Sequence, residues 1–203
     1  MNSPATVYVF IGDSVTDSNR TTSPGSETGL GDGYVRALAG SEQLAGQTVV
    51  NRGVNGNRAT DLLARWQQDV LDHDPDIVSI LIGVNDMWRR YDSDDPVTVA
   101  DFAATYRALL DATVAPGRRV ILVEPFLLPV RDEQKTWRED LDPKIEAVRA
   151  LAQEYGLTLV PADRHLTALA ETAGPEAIAD DGIHPTPRGH EALAALWLEH
   201  AAR

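Results

Sequence analysis

The chain has 203 residues, 43% of them hydrophobic, with 31 Asp and Glu against 18 Lys and Arg for a formal net charge of −13 at pH 7. That length supports one substantial core without demanding a second domain, and the acidic balance argues against nucleic acid as a partner, because phosphate binding needs clustered cationic side chains. The lack of any cysteine excludes disulfides, thiolate-ligated zinc and a thiol nucleophile together.

The first predicted element is the run Val7 to Ile11, apolar or aromatic at every position and so read as a strand buried on both faces. The start MNSPATVYVF has no basic segment and no apolar run of signal length, and no stretch reaches membrane-spanning length, so the expectation is a soluble, cytoplasmic protein without a membrane partner. Gly12 breaks the strand before Asp13, Ser14, Thr16 and Asp17. In an open α/β sheet ligands bind outside the carboxyl ends of strands, which makes Ser14 the first candidate for chemistry. Asn19 to Gly33 reads as a Gly- and Pro-containing loop on the same edge, Tyr34 to Ala39 as a short helix, and Thr48 to Asn51 as a second strand leading into RGVNGN. A helix capped by Thr60, with Asp61 in its first turn, carries Leu62, Leu63, Trp66 and Val70 at helical spacing. The third strand, Ile77 to Ile82, is nearly uniformly apolar and therefore central, and it ends in the polar turn GVNDMW.

Thr98 and Asp101 resemble a capping box ahead of a helix that buries Phe102, Tyr106, Leu109 and Leu110. Arg119 to Val123 is the fourth strand, and EPFLLPVRDEQKTW after it reads as a loop whose Phe126, Leu127 and Leu128 either fold over a groove or simply cover the core. A helix from about Asp142 to Tyr155 has Pro143 in its first turn, Gly156 stops it, and Leu157 to Val160 forms the fifth strand. A short helix around Leu166 to Ala170, the turn ADDGIHPT, and a final helix with Thr186 as cap and Pro187 at its first position complete the chain. Five strands alternating with helices, without a dinucleotide fingerprint or phosphate loop, predict a three-layer α/β/α sandwich on a mainly parallel five-stranded sheet spanning 1–203, with a strand order the pattern does not specify.

Ester hydrolysis by serine needs a base for the hydroxyl proton, a carboxylate to orient that base, and donors facing the oxyanion. Of the five histidines, His190 and His200 fall in the last helix, His73 beside a turn and His165 at the start of the short helix, where each reads as a surface residue. His184 differs, because DDGIHP is a rigid turn that carries Asp181 three residues upstream. For the oxyanion the natural donors are the Gly53 N–H, the Asn85 side-chain amide and the Ser14 N–H, with Gly53 leaving room for an acyl group. Asp13, Asp17, Asp86 and Asp180 are acidic neighbours, yet no phosphatase-like Asp-x-Asp stands in the first turn, and no metal is expected.

With GDSVTD at Ser14, NRGVNGN at Gly53, GVNDMW at Asn85 and DGIHPT at Asp181 and His184, the chain resembles the SGNH or GDSL hydrolases over nearly its whole length. The resemblance implies a flavodoxin-like sandwich with Ser14 as nucleophile, His184 as general base, Asp181 orienting it, and Ser14, Gly53 and Asn85 as the oxyanion hole, with no metal or organic cofactor. Val15 stands where the family's name motif has Leu. The segments MWRRYDS, GDGY around Tyr34 and EPFLLP around Phe126 also resemble the bacterial acetylesterase branch that includes acetylxylan esterases. That implies a small-molecule ester as substrate, an acetylated carbohydrate such as a xylo-oligosaccharide, with Trp88, Arg89, Tyr91 and Phe126 as its binding residues. Two other readings stand beside it. A longer acyl channel lined by Phe126, Leu127 and Leu128 would suit a thioesterase or lysophospholipase, and a carbohydrate-binding or assembly protein could keep the fold without the chemistry. The exposed aromatic segments also admit a homo-oligomer, since a subunit interface and a substrate cleft are alike in composition.

Overall fold

The five apolar runs become strands β1 (Val7–Gly12), β2 (Thr48–Gly53), β3 (Ile77–Leu81), β4 (Arg119–Val123) and β5 (Thr158–Val160) in the computed structural model, which describes residues 4–22 and 28–201. Of the loop expected from Asn19 to Gly33, residues 23–27 lie outside the described residues. The strands hydrogen-bond in the order β2-β1-β3-β4-β5, every neighbouring pair parallel. β3 is central and buried at all five positions, as its nearly uniform apolar run requires.

Side chains alternate across the sheet, so the two faces have separate cores. On one face Phe10, Leu81 and Val123 pack against helices α2 (Tyr34–Ala39), α7 (Ala162–Ala173) and α8 (Pro187–Ala201), through Tyr34, Leu38, Leu166 and Trp197. On the other, Val9, Ile80 and Leu122 meet α3 (Ala59–Asp69), α5 (Val99–Thr113) and α6 (Asp132–Tyr155), through Leu62, Trp66, Phe102, Leu109 and Val148. The result is the expected three-layer sandwich. A single turn, α1 (Ser14–Asp17), follows β1, and α4 (Val84–Asp92) follows β3.

Thr98 caps α5 by accepting the Asp101 N–H at 3.1 Å, and Thr186 Oγ1 accepts the Gly189 N–H at 3.2 Å at the head of α8, both as the sequence suggests. Elsewhere the elements differ from expectation for identifiable reasons. Thr60 does not cap α3, which begins one residue earlier. The N-cap residue is Arg58, whose N–H donates to the Asp61 carboxylate at 2.8 Å, and the Ala59 N–H is met by the buried carboxylate of Asp86 in α4 at 3.1 and 3.3 Å. GVNDMW is a helix rather than a turn.

Helix α6 starts ten residues before the expected Asp142 and carries Pro143 in its interior. Its start is fixed by Gln134, whose Oε1 accepts the N–H groups of Val130 and Arg131 at 2.9 and 3.1 Å. Phe126, Leu127 and Leu128 are 2%, 1% and 2% exposed and join the core instead of folding over a groove. Among the described residues the exposed large hydrophobics are Leu63 and Val114, while Trp88 and Tyr91 are half-buried.

Candidate active site

Register places the site. Gly12 pairs with Gly53 in β2 and with Leu81 in β3, so three strands end level on one edge of the sheet. Gly12 must be glycine, since a Cβ there would lie 2.2 Å from the Leu81 carbonyl oxygen. Asp13 then caps α1, its carboxylate accepting the Val15 N–H at 3.0 Å, and Ser14 is the first residue of the turn.

The histidine arrives from the far end of the chain. Asp181 Oδ1 accepts the N–H groups of Ile183 and His184 at 2.9 and 2.8 Å, and Gly182 takes φ 87°, so the turn folds back on its own carboxylate. Two segments brace it. The Leu128 N–H donates to the Gly182 carbonyl at 2.8 Å, and Gln134 Nε2 donates to the Asp181 carbonyl at 2.7 Å. In this frame His184 Nδ1 lies 2.6 Å from Asp181 Oδ2 and His184 Nε2 lies 2.8 Å from Ser14 Oγ. A carboxylate only accepts, so Nδ1 carries the proton, and the neutral ring turns its Nε2 lone pair toward the Ser14 hydroxyl.

The bond to Asp181 raises the His184 pKa above the ordinary histidine value, against the opposing effect of burial. Burial works against the Asp181 carboxylate too but is outweighed by the His184 ring and the two backbone N–H groups, which hold its pKa below the usual range. The pair is thus set to take a proton from Ser14 and to hold the resulting charge.

Asn85 sits in the first turn of α4, 2% exposed, with one amide N–H donating to the Asn57 carbonyl at 3.0 Å and the second without a partner among the described residues. Gly53 is placed differently from expectation. Its N–H donates to Asn51 Oδ1 at 2.9 Å, and the space a Cβ would take is filled by backbone, 2.1 Å from the Asp17 nitrogen and 2.5 Å from the Thr16 carbonyl carbon. Glycine stands here because the end of β2 packs onto α1, not to admit an acyl group.

The four expected substrate contacts divide. The Trp88 ring lies 6.2 Å from the His184 ring, and Arg89 lies over Trp88 with one guanidinium nitrogen 3.4 Å from Asn85 Oδ1, so both border the site. Tyr91 stacks on Trp137 at 5.2 Å and Phe126 is buried in the core, where they serve packing. The space beside Ser14 and His184 is instead a cavity of about 320 Å³ with a polar wall formed by Asp17, Ser18, Asn55 and His190.

His190 is no plain surface residue. It is half-buried, with Nδ1 accepting the Tyr34 N–H at 3.2 Å. The signal in the sequence is Gly189 beside it, where a Cβ would lie 2.2 Å from the Ile178 carbonyl oxygen, which presses the start of α8 onto the turn.

The GDSL-like lipase/acylhydrolase family profile matches residues 10–192. An acetylxylan esterase from Geobacillus stearothermophilus is 37% identical over 200 residues, covering 94% of this chain and 91% of that protein. A crystal structure of an acetylxylan esterase from that organism superposes with a TM-score of 0.87 at 35% identity, covering 98% of this chain and 94% of the other. A mutant of an acetyl-xylooligosaccharide esterase from the same organism superposes at 0.88 with 34% identity, covering 100% and 97%.

Proposed function

The chain belongs to the GDSL-like lipase/acylhydrolase family and is a serine esterase, and we propose that it removes acetyl groups from acetylated carbohydrates, in particular acetylated xylo-oligosaccharides. The observation that carries the chemistry is the continuous line from Asp181 Oδ2 through His184 to Ser14 Oγ, at 2.6 and 2.8 Å. Ser14 Oγ attacks the acetyl carbonyl while His184 Nε2 takes its proton and Asp181 holds the imidazolium. The oxyanion accepts from the Ser14 N–H and the second N–H of Asn85, and the Gly53 N–H joins by sharing itself with Asn51 Oδ1. Collapse returns the proton from His184 to the departing sugar oxygen. Water, deprotonated by the same nitrogen, then cleaves the acetyl-serine and releases acetate.

Two features support a small acyl group on a polyol over the longer acyl channel. Phe126, Leu127 and Leu128 are committed to the core, and the cavity wall beside Ser14 is polar. The test is the initial rate on p-nitrophenyl acetate, butyrate and octanoate, run beside Ser14→Ala. A preference for acetate that vanishes in Ser14→Ala is expected. Preference for octanoate would overturn the acyl assignment, and full activity of Ser14→Ala would overturn the nucleophile.

A further inference from the structure

Six residues beyond His184 a second imidazole reaches the same cavity, and the reaction as described leaves it unused. Its orientation and its proton are both fixed. The His190 ring stacks on Tyr34 with centroids 6.5 Å apart and planes at 15°, and its Cε1 lies against Gly33, where a Cβ would come within 2.7 Å. Nδ1 accepts the Tyr34 N–H at 3.2 Å, so it must present a lone pair, and the neutral ring carries its hydrogen on Nε2. Burial, with the His184 charge adding to it and Asp32 opposing, pushes the His190 pKa down to about 4, which keeps the ring in that neutral form at physiological pH.

Among the described residues the hydrogen-bond partner of Nε2–H is Ser18 Oγ at 3.4 Å, at the long, weak end of the hydrogen-bond range. Ser18 closes α1 at φ 40°, ψ 55°, in the left-handed region where glycine is the usual residue. A serine there keeps a hydroxyl in the cavity against the backbone preference. Two polar groups joined to each other by this one long contact, one a fixed donor and one a hydroxyl able to donate or accept, thus stand side by side within the cavity that Ser14 and His184 line. The leaving oxygen of the ester must approach His184 Nε2 to collect its proton, which brings the alcohol half of the substrate against this wall.

We propose that Ser18 and His190 form the subsite for the alcohol half of the ester, with His190 Nε2–H donating to a sugar oxygen and Ser18 Oγ engaging an adjacent hydroxyl. The assignment rests on the esterase reading above and gives it a positional basis for choosing polyol esters. p-Nitrophenyl acetate has a flat aromatic alcohol without neighbouring hydroxyls, so the ratio of kcat/KM for acetylated xylo-oligosaccharide to kcat/KM for p-nitrophenyl acetate isolates the subsite.

Ser18→Gly relieves the backbone and so separates function from folding. It should hold or raise Tm while lowering the ratio about fivefold, the loss expected for one neutral hydrogen bond. His190→Phe, which keeps the stacking ring, should lower the ratio at least as much, and His190→Gln, which restores an N–H, should recover part of it. A ratio within about twofold of wild type in Ser18→Gly and His190→Phe, whether both rates have fallen or neither has, overturns the proposal. Failure of the esterase reading is distinguishable, because the wild-type protein would then hydrolyse neither ester. Calorimetric binding of xylotriose still reads the subsite in that case: weaker binding by Ser18→Gly supports it, and equal binding overturns it.

Discussion

Asp13 precedes the reacting serine, is 1% exposed, and offers the clearest test of the site's electrostatics. Burial raises its pKa from 3.8 to about 7, against the Val15 N–H and the His184 charge, with buried Asp86 adding to the rise. An unfolded chain releases this proton near 3.8 while the fold keeps it to about 7, so stability falls as pH climbs through that window. At about 1.4 kcal/mol per pH unit the loss reaches about 4 kcal/mol above pH 7 and vanishes below about pH 4. Asp13→Asn removes the titration but keeps an oxygen for the Val15 N–H. The variant should match wild type near pH 4 and exceed it by up to about 4 kcal/mol at pH 8, on the order of 10 °C in Tm for a chain of this size. Thermal and urea melts at pH 4, 6 and 8 measure the difference. A stability difference that is constant across these pH values, or that favours wild type increasingly as pH rises, would show that Asp13 does not keep its proton in the fold.

Two substitutions separate the donors expected for the oxyanion. Asn85→Ala should lower kcat about 10²-fold with little change in KM in steady-state assays, since its amide meets charge that exists only in the transition state; a larger effect on KM would make it a substrate-positioning residue. Gly53→Ala places a Cβ 2.1 Å from the Asp17 nitrogen, so the backbone of β2 or α1 must move. The urea midpoint should fall by the equivalent of about 1–3 kcal/mol, and an unchanged midpoint would show that the two ends are not packed together.

The strands were legible because a parallel sheet covered on both faces needs nearly continuous apolar runs, and Val7 to Ile11, Ile77 to Ile82 and Arg119 to Val123 supply them almost residue for residue. The Ser14 and His184 turns were legible because each is local: Gly12, Asp13 and Ser14 adjoin, and Asp181 lies three residues from the histidine it contacts. Helix α4 was not. Gly, Asn and Asp in GVND ordinarily mark a turn because they bond their own backbone, but here Asn85 and Asp86 bond the carbonyl of Asn57 and the N–H of Ala59. Pro143 misled in the opposite direction. A proline suits a first helical turn, but an interior one is tolerated when Trp137, Leu141 and Ile145 around it pack into a core cluster. His190 reads as a surface residue because Gly189 beside it signals close packing without revealing Tyr34 and Gly33 as its neighbours.

These exceptions share a cause that bears on how the site holds its shape. Strand ends leave backbone groups that neither the sheet nor the following helix can satisfy, and four buried polar side chains meet them across the site. Asn51 donates to the carbonyls of Thr16 and Leu30 and accepts the Gly53 N–H. Asn85 and Asp86 tie α4 to the start of α3, and Gln134 ties α6 to the Asp181 turn. Apart from the local Asn51–Gly53 bond, each joins segments far apart in sequence, so the segments bearing Ser14, Gly53, Asn85 and His184 are fixed to one another and not merely to the sheet. An amide that bridges two such segments cannot be lost from one without leaving a buried group unpaired in the other, at about 1–3 kcal/mol each. The proposed oxyanion donors therefore owe their positions to residues outside the site, and a change at Asn51 or Gln134 would reach the chemistry through geometry alone.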